Sequence, residues 1–282
     1  MKNSIFIAVF FGLISMSCSK MNDPEPAVII ENDIKKKVLL EKVSSTNCGS
    51  CPLAQYEVGL LHDSLGDDLI YMSHYLFGPL NHVHTDYLLE KINKTYFTPL
   101  AFIDRAENGE GTVFFQTFAW EDEIKAGLMT AATIGIEIKS IVSDNKAQIS
   151  IVLKNEGLES ETNRLHVFLI EKIVVGEGKD YDQKNYGNED PDHPYYGRGE
   201  FIEGFEHKNI IRERISAADG NKITWVEGEA KADFALSFIP ASGKFASDYS
   251  LVAFVADGEV PISGTIINAQ RVNLGESITM FD

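Results

Sequence analysis

The 282-residue chain is short of positive charge. It has 25 lysines and arginines against 42 aspartates and glutamates, a formal net charge of -17. With no Lys/Arg cluster to offset that balance, phosphate backbones and anionic membrane surfaces are repelled, and nucleic acid is excluded as an expected partner. Long apolar runs are also missing. The longest N-terminal one, Ile5 to Ile14, is about half of the roughly twenty residues needed to cross a hydrocarbon core. Neither Gly109-x-Gly111 nor Gly176-x-Gly178 opens a helix after a strand, so both read as turns and not phosphate cradles. No serine-histidine or paired-carboxylate constellation is recognisable. Cysteine is scarce, with Cys18, Cys48 and Cys51 the only three.

What is present begins with an export signal. Lys2, the apolar stretch and the small residues after it give a signal peptide over residues 1–17. "SMSC" then resembles the bacterial lipobox, with Ser15 where leucine is commonest, so Cys18 is the expected lipidation site. Residues 18–34, containing "SKMNDPEPAV", form the lipidated tether. If Cys18 carries lipid, Cys48 and Cys51 have no partner except each other, and an oxidising compartment favours their pairing.

The hydrophobic share of 44% and charged share of 24% suit globular material, and the length favours about two domains. In the first, residues 35–45 read as a strand and Pro52 to Leu65 as a helix, with Gly66 as its stop. A buried strand follows over 68–77. Next come a helix over 85–97 capped by Thr85 or Asp86, a strand introduced by Thr98-Pro99, a short strand "GTVFF" and an amphipathic helix over 116–132.

From Thr133 the texture alternates. A hairpin around Asp144-Asn145 precedes the runs "RLHVFLIEKIVV", "HKNIIRERI", "KADFALSFIP", "YSLVAFVAD" and "IINAQRVNL", giving about seven strands of sandwich type. The interruption at 176–207 is long, acidic and aromatic, as functional or mobile loops are. Its Asp180, Asp182, Asn185, Asn188, Asp190 and Asp192 are hard oxygen ligands, but their spacing misses the helix-loop-helix calcium pattern and favours a solvated loop.

Cys-x-x-Cys between a strand and a helix, the crossover helix itself and the later Thr98-Pro99 together resemble the thioredoxin fold over residues 35–132. The expected fold class is therefore α/β plus all-β: a thioredoxin-like N-terminal domain, 35–132, followed by an immunoglobulin-like β-sandwich, 133–282. Through "VLLEKVSSTNCGSCPLA", "FEHKNIIRERI" and "SLVAFVAD…IINAQRV" the whole chain is similar to the Omp28-related proteins of Bacteroidetes-type bacteria. That resemblance implies an outer-membrane lipoprotein.

The dithiol has three readings. A helix N-terminus favours a Cys48 thiolate, so Cys48 would attack an exported protein's disulfide and Cys51 resolve the mixed species, with Pro99 and Thr98 shaping the docking edge. Tyr75, Phe77 and His82 would wall the substrate groove, although Tyr75 and Phe77 fit a core equally well. Against redox work, Asn47 stands where such enzymes usually have tryptophan, and Lys42 stands where thioredoxins bury an acid. Alternation turns the neighbouring Glu41 to the opposite face. The second reading is a structural disulfide in a non-enzymatic protein. The third recruits His82 and His84 as zinc ligands beside the two cysteines; loop histidines explain them more simply, so no metal and no cofactor are assigned. Expected partners are exported proteins or a surface ligand, with the membrane met through the lipid anchor only.

Overall fold

The computed structural model describes residues 34–92, 97–258 and 264–282. The signal peptide, Cys18 and nearly all of the tether lie outside them.

β1 (Val38–Ser44) and β2 (Leu69–Tyr75) pair in parallel, which requires a crossover, and α1 (Cys51–Leu65) supplies it. After α2 (Val83–Ile92), β3 (Leu100–Ile103) returns antiparallel to β1. α3 (Trp120–Leu128) follows. Alternation then decides what each strand face meets. Val38 and Leu40 of β1, with Leu69, Tyr71, Ala101 and Ile103, pack under Ala54 and Val58 of α1 and Trp120 and Ile124 of α3. Val43 of the other face packs with Leu100 and Phe102 against Leu88 and Leu89 of α2. α3 comes so close to β1 that a β-carbon on Gly127 would lie 2.9 Å from a Val38 methyl.

Two sequence expectations are corrected here. α2 begins at Val83, and Thr85 is no cap: it is buried, and its hydroxyl meets His74 Nδ1 at 3.2 Å. "GTVFF" forms no strand. Gly111 takes a left-handed φ of 70°, and the Asn108 side chain accepts from the backbone N–H of Glu110 and Thr112, which bends the segment. Only a bridge between Ala101 and Phe115 survives.

β4 (Ile134–Ser143) and β5 (Lys146–Asn155) form the expected hairpin, with Asp144 and Asn145 both at positive φ, as a two-residue primed turn demands. Next come β6 (Arg164–Val174), the short β7 (Gln183–Lys184) and β8 (Phe201–Ile202), β9 (His207–Arg214) and β10 (Asn221–Lys222). β11 (Glu229–Ser237), β12 (Tyr249–Asp257), β13 (Thr265–Asn273) and β14 (Ser277–Ile278) complete the chain. β11, β5, β4 and β14 make a four-stranded sheet. Its inner face, including Ile136, Ile138, Ile149 and Ile151, packs on Val167 and Leu169 of β6 and Leu251 and Ala253 of β12.

The larger, eight-stranded sheet runs β13-β12-β6-β9-β2-β1-β3, with β10 beside β6. It crosses the position 132/133: β9, from the later segment, lies parallel to β2, from the earlier one. The sheet also curls. Ile266 N donates to Asp104 O at 2.7 Å and Lys36 Nζ to Ile267 O at 3.1 Å, which brings β13 to the chain leaving β3. The result is a mixed, sheet-rich fold with few helices, α/β in its first part and β in its second.

Inside the curl, Leu39, Ile70, Met72, Phe168, Val252 and Phe254 form an apolar core around one ion pair. Asp104 and Arg105, at φ 46° and 49°, turn the chain sharply after β3 so that Arg105 points back into the core. There its Nε donates to Glu41 Oε2 at 2.6 Å and its Nη2 to Oε1 at 2.8 Å. His74 Nε2 approaches the same carboxylate at 3.3 Å. These partners hold the Glu41 carboxyl far below its usual range despite complete burial.

Candidate functional site

The cysteines sit where β1 gives way to α1. Cys48 N donates to Ser45 O at 3.0 Å and Cys51 N to Cys48 O at 3.2 Å, two successive turns that bring the sulfurs together at the first residue of α1. Pro52 occupies the first helical turn, where no donor is missed. Cys48 and Cys51 form a disulfide, with Cα atoms 5.4 Å apart. Thr98-Pro99 is a cis peptide, and both residues are half-buried. Because Val43 pairs with Leu100, the β1–β3 register carries Thr98-Pro99 to the end of β1 from which the cysteine loop departs.

Behind the helix, Lys42 is buried and reaches Gln55 Oε1 at 3.5 Å. Gln55 lies one turn after Cys51, and its oxygen also accepts from Lys208 N. Burial, reinforced by the Lys208 charge, pulls the Lys42 amine down to about 7.

Tyr75 is a core residue, packed with Leu80, Val174 and Ile210. Its hydroxyl donates to His207 Nδ1 at 2.8 Å, and burial raises its pKa. His207 Nε2 donates in turn to Tyr181 O at 2.8 Å, and burial lowers the imidazole to about 4. His82 is half-buried and caps the start of α2, its Nδ1 accepting from His84 N at 3.1 Å. Phe77 is exposed. The Cys2His2 set is not assembled: the cysteines are bonded to each other, and His84 lies in the core with Phe168 and Arg214. Among the described residues, no cluster of three or more His, Cys, Asp or Glu could hold a metal ion.

Part of the 176–207 insert is folded over the cysteine loop. Gln183 Nε2 lies within hydrogen-bonding reach of three loop carbonyls, Ser45 O at 3.2 Å, Thr46 O at 3.1 Å and Cys48 O at 2.9 Å. Lys184 N donates to Thr46 O at 2.8 Å, and Tyr186 N to Gly49 O at 2.9 Å. The Tyr186 ring rests on Gly49, whose missing β-carbon would collide with it. Under this cover Cys48 is 8% exposed and Cys51 2%.

Three of the hard oxygen-bearing side chains, Asn185, Asn188 and Asp190, bond within the loop itself. Asn185 Nδ2 reaches Tyr195 O and Gly199 O, Asn188 Oδ1 accepts from Gly199 N, and Asp190 Oδ1 accepts from Asp192 N. The insert's length and composition mark it in the sequence, but nothing there marks Gln183 or Tyr186 as cysteine-loop contacts.

The family model for the outer membrane protein Omp28 matches residues 88–278. No curated protein matches the chain. Among solved structures, HBP35 of Porphyromonas gingivalis superimposes with a TM-score of 0.64 at 17% identity, covering 86% of this chain and 76% of its own. A structural-genomics protein of Agrobacterium tumefaciens gives 0.54 at 11% identity, covering 86% and 96%. A domain of the outer membrane lipoprotein Omp28 from Porphyromonas gingivalis gives 0.32 at 18% identity, covering 52% and 91%. At such identities the first two establish a shared fold alone.

Proposed function

We propose, from the premise that this chain belongs to the outer membrane protein Omp28 family, that it is a non-enzymatic binding protein whose Cys48–Cys51 disulfide is structural. The family sets its address at the outer membrane. Cys18, in its lipobox-like context, is the proposed point of acylation, leaving a lipid chain as the only membrane contact. Among the described residues no helix is long and apolar enough to cross a membrane.

Within this reading the first segment is thioredoxin-like and the second immunoglobulin-like. Supporting the former are the β1-α1-β2 crossover, the Cys-x-x-Cys at its turn and Thr98-Pro99 ahead of β3. Supporting the latter is the packing of the four-stranded sheet on β6 and β12.

The observation that carries the non-enzymatic reading is the cover over the loop. A visiting chain would need to reach the Cys48 sulfur, and with the insert bonded to Thr46 and seated on Gly49 beside it both cysteines are buried. Exposed Tyr186, Tyr196 and Phe201, with Glu189, Asp190 and Asp192 nearby in sequence, then offer aromatic and acidic surface for a protein or glycan ligand.

Thiol-disulfide exchange on exported proteins is the second reading, favoured by one specific feature. Cys48 precedes the α1 N-terminus, where unpaired amides stabilise a thiolate. The reduction potential of the pair separates the two readings. A structural bond should lie below about −300 mV and show no turnover with a reduced or oxidised model protein. A value between about −270 and −120 mV with turnover would replace the binding reading by exchange, with Cys48 attacking and Cys51 resolving.

A further inference from the structure

We infer that the carbonyl edge from Ser45 to Gly49 is a docking edge for an extended polypeptide, and that the chain's own residues Gln183 to Tyr186 fill it in the resting state. This goes beyond the binding reading, whose ligand surface is the exposed face of the insert, and its test does not depend on the redox behaviour of the cysteines.

The contact uses main-chain bonds as an added strand does, on a loop made of two turns. Along an extended segment, successive N–H groups point to opposite sides. Lys184 N and Tyr186 N face the cysteine loop, at 2.8 Å from Thr46 O and 2.9 Å from Gly49 O. Asn185 N faces away, to Glu200 O at 2.8 Å, on the side where β7 pairs with β8. Such main-chain pairing gives affinity for any extended chain, while side-chain pockets give selectivity.

Two side-chain sites are built. At the first, three carbonyls converge on one nitrogen, so it takes a side-chain nitrogen donor, supplied here by the Gln183 amide. Three residues on, the bare face of Gly49 seats an aromatic ring. The preferred occupant is therefore an extended polypeptide carrying a side-chain nitrogen donor and, three positions later, an aromatic residue.

The resident segment is an imperfect fit. Gln183 Oε1 is buried without a partner, and the Tyr186 side chain, although seated on Gly49, is 69% exposed. Left-handed Gly178 on one side and Gly197 and Gly199 on the other give the connecting chain conformations open to glycine. A polypeptide in trans must nevertheless compete with a segment whose tether gives it a millimolar-scale effective concentration. The edge should open in trans only when the resident segment is weakened.

The test uses the full mature chain and a labelled peptide with the sequence of residues 181–187, Tyr-Asp-Gln-Lys-Asn-Tyr-Gly. The double variant Gln183→Ala/Tyr186→Ala should bind this peptide at least tenfold more tightly than the unmodified chain does, by fluorescence anisotropy. Replacing the peptide's own glutamine and second tyrosine by alanine should abolish the difference. Equal binding by both proteins, no binding by a folded variant, or dimerisation through exchanged inserts would overturn the proposal. Hydrogen exchange on the unmodified chain needs no variant to fold. The Lys184 and Tyr186 amides should exchange at least tenfold faster than those of Leu40 and Lys42 in β1. Equal protection would mean a fixed cover and would also overturn it.

Discussion

A lysine on the interior strand β1 with no access to water must find a counter-charge or give up its proton. Lys42 has only the Gln55 amide oxygen at 3.5 Å, with Lys208 and His207 as its charged or titratable neighbours, and its amine falls to about 7. The unfolded chain, with an ordinary lysine, therefore binds more protons between about pH 7 and 10.4 than the folded one does. Stability rises with pH across that window, and below it the full penalty of burial is felt. Lys42→Met should accordingly raise the denaturant midpoint at pH 6 to 7, and the gain should shrink as the pH is taken to 10. A gain that is flat with pH, measured by urea titration, would show that the amine is not the source. Gln55 Oε1 keeps Lys208 N as donor in that variant, so no buried acceptor is orphaned. The opposite facing of Glu41 and Lys42 was legible in the sequence, because it needs only strand alternation. The partner of Glu41 was not. Arg105 reaches it only because two consecutive residues, neither of them glycine, adopt left-handed backbone beyond β3. The burial of His84 escaped for a similar reason: in "NHVHTD" both histidines look like loop residues until α2 begins at Val83 and turns the second inward.

At the scale of elements, periodicity located nearly every long strand and the three helices, since their patterning is local. It misjudged "GTVFF", whose apolar run is overridden by the Asn108-centred turn, and it could not tell what the insert covers. The cysteine loop shows why that cover matters energetically. A bridge across three intervening bonds of sequence closes so short a loop that chain entropy contributes about 2 kcal/mol, at the low end for disulfides. The insert adds two backbone bonds and the Gln183 amide, each net contribution being roughly 1 kcal/mol. If the loop keeps its shape without the bridge, Cys48→Ala/Cys51→Ala should cost about 2 kcal/mol in urea denaturation, with exchange at the Lys184 and Tyr186 amides unchanged from the parent chain. A loss above about 4 kcal/mol, accompanied by exposure of those amides, would instead show that the bridge is what shapes the loop for the insert.

For the whole molecule, the decisive feature is a sheet that ignores the change of sequence texture near residue 133. The two textures are real: parallel β1 and β2 under helices come first, alternating antiparallel strands second. Texture reports what each strand's faces meet; it does not report which strand lies along its edge. Thus β2 and β9, in which Ser73 pairs with Ile210, 137 residues later, adjoin without any local signal. Their junction matters because the apolar core inside the curl takes Leu39, Ile70 and Met72 from the first segment and Phe168, Val252 and Phe254 from the second. Separating the segments would expose both sets of side chains and leave the β2 edge unpaired, and removing a single buried leucine already costs about 2–5 kcal/mol. The folded part should therefore melt as one cooperative unit. Calorimetry on the mature chain should give a single transition, with calorimetric and van't Hoff enthalpies in a ratio of about 1. Residues 34–132 expressed alone should lack the near-ultraviolet dichroism of packed aromatics. Two resolved transitions, together with a well-packed isolated segment, would mean that the shared sheet is a contact between independent domains and that β2 tolerates a free edge.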